Sequence, residues 1–359
     1  MKIYIGPYGI SDIAVQLNRG LQEQGVKTRF TSIRKGKNPF FFNKDRYDLY
    51  YTSDNHMNVM LKKMREFISS CTKYDVFIFT FCVSFGSSLQ FGDYRSSILS
   101  YFDLPLLKAM GKKIVFIVLG TDLRSIPILI KECEESGLKQ HAKYLKKDML
   151  PNLPALSDEN IKKAKMINKY GDIIFTRSEA AQLLSRPHEL IWLGIDLDNF
   201  KFNISKSKEP LVIHAASRRF MKGTTYIENA LNRLQKENYK FKFVLCENMN
   251  NNEVRRLLSE STIVIDQLIL PGYGLFAVEA MASGNVVLGS TVPGVNEIPK
   301  EIPIIPTTPD DIYENLKRVL TARETWKNLI LKGREYVERH HDYRKTSKNI
   351  LEIIKKKIY

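Results

Sequence analysis

The chain has 359 residues, more than one hydrophobic core usually serves, so two domains are expected. It is 43% hydrophobic and 11% aromatic with no low-complexity tract, which excludes a disordered or fibrous chain. The formal charge of +16 is spread over both halves, 29 Lys+Arg against 21 Asp+Glu in residues 1–200 and 26 against 18 in the rest, so it is no basic tail. Such a charge suits an anionic partner, whether phosphate, nucleic acid or an acidic lipid surface, or a solvated surface without one.

Short apolar runs alternate with amphipathic stretches, the βαβ signature of parallel sheets covered by helices. In the first half, strands are predicted at Lys2–Gly6, Lys27–Thr31, Tyr47–Tyr51, Asp75–Phe81, Lys113–Leu119, Asp172–Thr176 and Leu190–Leu193. Helices are predicted at Ser11–Gln24, His56–Ser70, Ser97–Met110, Asp158–Tyr170 and Ser178–Ser185, with Ser11 and Asp158 as caps. The polar, aperiodic stretch Asp196–Pro210 reads as a linker. A second series follows, with strands at Leu211–His214, Lys242–Leu245, Thr262–Asp266, Val286–Gly289 and Ile302–Ile305. Its helices are predicted at Gly223–Gln235, Asn251–Ser259, Gly274–Ala282, Pro309–Thr321, Arg323–Arg339 and Tyr343–Lys357.

This pattern predicts an α/β fold of two doubly wound domains, residues 1–200 and 201–340, with a terminal helix, 341–359, packing back on the first. Ligands bind at the carboxyl ends of the strands in such sheets, so two facing sheets are expected to share a cleft. Cys71, Cys82, Cys133 and Cys246 have neither paired nor metal-like spacing and read as buried thiols of a reducing compartment. Met1–Gly6 reads as a strand, not a signal peptide. The longest apolar runs, Val76 to Phe81 and Ile114 to Leu119, fall far short of the ~18 residues a membrane span needs. A cytoplasmic protein is the expectation.

Several turns carry candidate chemistry. Gly6-Pro7-Tyr8-Gly9-Ile10-Ser11 joins the first strand to the first helix. Glycine permits close backbone approach and a helix N-terminus offers free N–H groups to a phosphate, which makes Gly9 a donor contact and Tyr8 an acceptor contact; a plain turn is the alternative. Arg218, Arg219 and Lys222 follow a strand end, where cations would stabilise the charge of a departing diphosphate. In Pro271 to Gly284, Gly272 and Gly274 open a turn, and the Gly274 and Leu275 amides crown a helix start, an anion site. Glu279 sits in that helix amid apolar residues and needs a partner, a ribose diol or an Arg. Tyr8, Tyr94, Tyr101 and Tyr273 are placed to stack on sugars, and Glu247-Asn248 to meet a nucleobase. Asp122 and Arg124, at another strand end, either position sugar hydroxyls or pair to brace their turn.

The stretch Gly272 to Gly284, G-Y-G-L-F-A-V-E-A-M-A-S-G, resembles the nucleotide-binding element of retaining GT-B glycosyltransferases, family 4 in particular, which reads E-G-F-G-L-x-x-x-E-A-M-A-x-G. Pro271 replaces the family's first Glu, which lies by the transferred sugar; the second, the ribose ligand, is Glu279. Arg218 or Arg219 with Lys222-Gly223 resembles the family's diphosphate clamp, Trp192 to Asp196 its N-G-V-D element, and Gly294 to Glu297 its G-x-x-E loop. Gly120 to Arg124 resembles its G-S-D-I-R turn, with Leu119 where a His is common.

The resemblance implies two Rossmann-like domains and a hexosyltransferase that retains configuration. Arg218, Arg219, Lys222 and Asp122 would be catalytic. Gly9, Glu247, Gly272, Tyr273, Gly274, Leu275 and Glu279 would bind the donor, and Tyr8 and Arg124 the acceptor. No His, Cys, Asp or Glu cluster of ligand type is evident, so neither metal nor cofactor is expected beyond a UDP- or GDP-sugar co-substrate. The expected acceptor is a glycan or lipid-linked precursor of a cell-surface polysaccharide. The basic residues 34–37 and 143–169 are expected to dock peripherally on an anionic inner membrane face. Nucleic acid is not an expected partner. Alternatives are a nucleotide-sugar epimerase of the same fold and a non-catalytic protein that binds nucleotide or nucleic acid.

Overall fold

A computed structural model of the chain describes residues 1–9, 12–35, 46–87, 101–120, 122–153, 158–204, 209–216, 218–291, 299 and 301–358. The Ser11 cap, Gly36-Lys37, Tyr94, the start of the helix predicted from Ser97, Ser217 and the Gly294 to Glu297 loop lie outside the described residues, as does the capping side chain of Asp158. The chain forms two compact units.

The first unit comprises Met1–Arg124, Ser157–Gly194 and Tyr343–Tyr359. Its strands are β1 (Lys2–Ile5), β2 (Lys27–Lys35), β3 (Leu49–Ser53), β4 (Val76–Thr80), β5 (Lys113–Ile117), β6 (Ile173–Thr176) and β7 (Glu189–Leu190). They pair in parallel in the order β3-β2-β1-β4-β5-β6-β7. Helices α1 (Asp12–Glu23), α2 (His56–Cys71), α3 (Asp103–Ala109) and α6 (Asp158–Tyr170) come from this segment order, and the last helix of the chain, α13 (Tyr343–Ile358), joins them. Successive strand residues point to opposite faces. Ile3, Ile5, Val76, Ile78, Val115, Ile117, Ile173 and Phe175 therefore build one core with α1 and α13. Tyr4, Phe77, Phe79, Ile114, Phe116 and Ile174 build the other with α2, α3 and α6. Near-continuous apolar strands follow from burial on both faces.

The second unit comprises Ser125–Leu156 and Ile195–Asp342. Helices α4 (Ile126–Glu135) and α5 (Lys139–Tyr144) open it. Strands β8 (Leu211–Ala215), β9 (Lys242–Cys246), β10 (Ile263–Ile265), β11 (Val286–Gly289) and β12 (Ile304–Pro306) form a parallel sheet in the order β12-β11-β10-β8-β9. Helices α7 (Arg219–Lys222), α8 (Thr224–Lys236), α9 (Asn251–Glu260), α10 (Leu275–Ala282), α11 (Ile312–Thr321) and α12 (Trp326–His340) complete it. Val212, Ile263, Ile265, Val286 and Leu288 pack with α8 and α11 on one face. On α10, Ala277, Val278, Ala280, Met281 and Ala282 are buried, and Gly333 of α12 lets the helices approach: a Cβ there would lie 3.3 Å from Met281.

The division differs from the sequence reading at three places, two of them short: residues 195–200 and 341–342 fall in the second unit. Residues 125–156, expected in the first domain, belong to the second unit, because the apolar face of α4 and α5 (Ile126, Leu129, Ile130, Cys133, Ala142) packs on Ile269, Leu270, Phe220 and Met221 of that unit. The helix predicted at Ser178–Ser185 is only a single turn, Ser178–Ala180, with Leu183 and Leu184 packed on the first unit's core instead. Among the described residues no helix is long and apolar enough to cross a membrane.

Two buried histidines tie the second unit together. His214, at the end of β8, bonds the Ile265 carbonyl through Nδ1 (2.8 Å) and Thr224 Oγ1 through Nε2 (2.9 Å), joining β8 to β10 and α8. His141 of α5 reaches Ser290 Oγ beyond β11 at 2.7 Å. Burial disfavours the charged imidazole and lowers both rings to about 4. An unfolded imidazole protonates near 6.5, so their contribution to stability is complete above that pH and declines as pH falls towards 4. Both ring resonances are expected to report neutral imidazole at pH 5.5 by NMR; a midpoint near 6.5 for either would contradict this burial.

In the first unit, α13 is held to α1 at Gly20, where a Cβ would overlap Ser347 Oγ and lie 3.1 Å from the Tyr343 carbonyl. Gly20→Val is expected to cost about 1–3 kcal/mol by overpacking, read as a lower urea midpoint; an unchanged midpoint would show that α13 does not pack there.

Candidate functional site

The residues with candidate chemistry in the second unit gather where β8, β9 and β10 end. The short helix α7 carries Lys222 at its last position. Gly223 follows with φ of 77°, the left-handed region that favours glycine, and its backbone packs 3.3 Å, measured from an ideal Cβ, from Leu268. Chain reversal at Gly223 lets α8 start at once and leaves the Lys222 carbonyl to accept from Leu268 N (3.1 Å).

Asp266, immediately after β10, is wholly buried. Its Oδ1 accepts from Lys222 Nζ at 2.5 Å and its Oδ2 from the Gly274 N–H at 2.7 Å. Gly274 is the N-cap of α10. The carboxylate therefore complements both the ammonium and the positive end of the helix, which is what a buried charge requires. Sequence reasoning placed Asp266 at a strand end but gave it no role; the buried acid between a Lys and a glycine-led helix start was the available signal. The loop between is fixed by Gln267 Nε2 donating to the Gly272 carbonyl (2.6 Å), and Leu268, Ile269, Leu270 and Pro271 are buried. Gly272 takes φ of 95°. An ideal Cβ on Gly274 would lie 3.2 Å from Asp266 Oδ2 and 3.4 Å from Lys222 Nζ, so the lysine head stands directly at the start of α10.

Helix α10 turns one face outward. Leu275, Phe276 and Glu279 are half-buried, and Leu275 and Glu279 are one turn apart on the same side. Tyr273 differs from its expectation: its ring is 3% exposed and its hydroxyl reaches Tyr336 (3.2 Å) and His341 (3.0 Å), so it anchors α10 to α12 and its ring is not presented to a sugar.

The two arginines are distinguished by their partners. Arg219 donates to Glu247 (3.1 Å) and to Glu228 (2.5 Å), which raises its pKa by hydrogen bonding and occupies the Glu247 carboxylate expected at a nucleobase. Arg218, the N-cap of α7, is exposed, and among the described residues its guanidinium has no acidic partner and donates to Met221 Sδ at 3.7 Å.

In the first unit, Asp122 is 8% exposed and is committed to its own turn. Its oxygens accept from Gly120 N (2.7 Å), Leu119 N (3.1 Å) and Cys82 Sγ (3.6 Å); burial raises its pKa against those hydrogen bonds. It braces the turn through amides rather than by pairing with Arg124, whose Nε donates to the Glu179 carbonyl at 2.9 Å. Tyr8 is half-buried after β1, edge-on to Phe81 at 6.1 Å. Gly9 is buried: its carbonyl accepts from Tyr47 (3.1 Å), and a Cβ would lie 3.0 Å from Phe30, so glycine there serves packing. Tyr101 is 5% exposed in the core.

Of the basic cluster at 143–169, Lys143 bonds Asp310 (2.9 Å) and Lys146 is paired with Glu134, and its two halves belong to different units. A groove of about 750 Å3 lined by Asp75, Met110, Lys112, Lys113 and Lys355 opens at the amino ends of the first unit's strands, the end opposite to that used by ligands of parallel sheets. Among the described residues no three His, Cys, Asp or Glu side chains come together as a metal site.

No protein-family model matches the sequence, and no curated protein matches it. Solved structures do. Anabaena HepE in complex with UDP and glucose is 12% identical, with a TM-score of 0.65 and 99% of each chain covered. Sucrose-phosphate synthase from Thermosynechococcus elongatus is 14% identical, with a TM-score of 0.64 and 99% of each chain covered. An alpha-glucosyltransferase in complex with UDP-glucose and DNA containing an abasic site is 12% identical, with a TM-score of 0.64 over 99% of each chain. These neighbours are GT-B glycosyltransferases, and the two parallel sheets with their helices have that fold.

Proposed function

We propose that the chain is a hexosyltransferase that takes a sugar from a nucleoside diphosphate donor, UDP- or GDP-linked, with retention and without a metal ion. The observation that supports it most is the meeting of Lys222 Nζ with the start of α10, 3.4 Å from an ideal Gly274 Cβ, beside uncommitted Arg218. The UDP and UDP-glucose of the similar structures favour UDP.

In this reading the donor pyrophosphate lies against the first turn of α10, whose leading N–H groups have no intrahelical acceptor. An ammonium has three donors; Asp266 takes one and holds Lys222 in place, leaving two for phosphate oxygens. Arg218 adds the second cation, while Arg219 stays with Glu228 and Glu247. As the bond to the anomeric carbon breaks, negative charge grows on the leaving phosphate, and cations already in position stabilise it without reorganisation. The acceptor hydroxyl oxygen bonds to the anomeric carbon, and the departing phosphate accepts its proton. Glu279, one turn along the same face, holds the ribose diol. The acceptor, a glycan or lipid-linked precursor of a cell-surface polysaccharide, meets the first unit at Tyr8 and Arg124, with Asp122 shaping the turn that carries Arg124.

Lys222→Ala would strand a wholly buried carboxylate, so Lys222→Gln is the cleaner test: it keeps a hydrogen-bond donor for Asp266 and removes the charge. Lys222→Gln is expected to lower kcat/KM for sugar transfer or donor hydrolysis about 10²-fold or more, with a smaller loss of melting temperature than Lys222→Ala. Arg218→Ala is expected to lose more activity than Arg219→Ala. Full activity of Lys222→Gln, or the reverse order for the arginines, would place the diphosphate elsewhere. Product analysis separates transfer from epimerisation.

A further inference from the structure

Arg34 is next to last in β2, at the carboxyl end of the strand, the end where parallel sheets bind ligands. Side chains alternate along a strand, so Arg34 shares a face with Phe30 and Ser32. That face meets the loop after β1. Phe30 stacks on Tyr47 at 4.5 Å, and Ser32 and Tyr47 both donate to the Gly9 carbonyl. The Ile33 amide donates to the Pro7 carbonyl at 2.8 Å, which brings Arg34 beside Tyr8.

Arg34 is half-buried, and its Nε and Nη1 are closed off from water with no hydrogen-bond acceptor among the described residues. Donors enclosed in this way cost free energy. A surface arginine keeps these nitrogens in water, and a structural one gives them a carbonyl or a carboxylate. Here Asp12, the acid of the neighbourhood, is committed to Arg46 (2.7 Å) and Gln16 (3.2 Å). Burial raises the Tyr47 hydroxyl, and the fixed charges that act on it are Arg46, Asp12 and Arg34, two cations against one acid. The Tyr8 hydroxyl likewise has no partner among the described residues. Burial raises it above its ordinary value, and the charge of Arg34 pulls the other way.

We infer that Arg34 and the Tyr8 hydroxyl bind an oxyanion, phosphate or carboxylate, carried by the acceptor. The inference rests on the transferase reading and narrows its acceptor to a phosphorylated or acidic sugar, or a lipid-linked sugar held through the phosphate of its linkage. A guanidinium shares its charge over three nitrogens and pairs with oxyanions in a planar fork. Nη2, the nitrogen that is not closed off, gives an anion access to that charge, and Tyr8 adds a hydroxyl donor. A neutral sugar supplies no charge to compensate the arginine. Arg34 lies on the first unit and the donor residues on the second, so the two readings fail separately.

The test titrates the full chain, with and without UDP, with glucose 6-phosphate, glucuronate, inorganic phosphate and glucose, read by ligand-detected NMR. At least one of the two charged sugars is expected to bind about tenfold or more tightly than glucose, and the tighter of the two tells phosphate from carboxylate. Arg34→Gln is expected to bring that sugar to within about twofold of glucose, with the Kd for UDP unchanged. Its melting temperature is expected to be unchanged or raised, because the substitution removes an unpaired guanidinium. Charged sugars that bind no tighter than glucose, or keep their advantage in Arg34→Gln, would overturn the inference. So would inorganic phosphate binding as tightly as glucose 6-phosphate, or a fall of several degrees in the melting temperature of Arg34→Gln, which would give Arg34 to the fold. Failure of the donor reading shows elsewhere, as absent UDP binding or full activity of Lys222→Gln.

Discussion

Asp266 has no exposure to water, yet it carries a carboxylate. Removing a charge from water costs several kcal/mol unless partners replace the lost hydration. Here the partners are the Lys222 ammonium and the first amide of α10, one on each oxygen. That requirement fixes where α7 ends, where α10 begins and how far apart they stand. The same three groups define the candidate donor site, so the pairing that satisfies a buried acid also aims a cation at the helix start.

The supports of this arrangement are apolar and come from distant sequence. Ile269 and Leu270, between Asp266 and Gly274, and Phe220 and Met221 of α7 all pack on α4, α5 and the turn after them. His141 of α5 and His214 of β8 add neutral, fully directional ties to Ser290, Ile265 and Thr224. Tyr273 closes the other side through Tyr336 and His341. A preorganised site needs its charged groups held before ligand arrives, and rigid packing on several sides supplies that.

Most of the architecture was legible because parallel strands buried on both faces read as short apolar runs, and β1, β4, β5, β8, β10 and β11 all have that form. The segment 120–157 was not read as helical, although Ser125 accepts from Ile128 N as a cap and Ile126, Leu129, Ile130 and Cys133 follow helical spacing. Its place in the second unit could not be read at all, since contact between residues 126–149 and 269–270 leaves no local pattern. Lys222, Gly274 and Glu279 stood out in the sequence as a cation, a helix start and an acid, and the structure brings Lys222 to the start of α10. What each neighbour does was not: Tyr273 and Gly9 look like ligand contacts in sequence, and only burial shows them serving the fold. Arg218 and Arg219 look alike in the sequence, and it is Glu228 and Glu247, distant in sequence, that make their surroundings differ.

The central claim is that the start of α10 and Lys222 together receive a pyrophosphate. A crystal structure of the chain with UDP-glucose tests it most directly. The account predicts phosphate oxygens within about 3 Å of the Leu275 amide, Lys222 Nζ and Arg218, with Asp266 still bonded to the Gly274 amide. A diphosphate bound elsewhere, with no phosphate oxygen in reach of Lys222 or of the α10 amides, would contradict it.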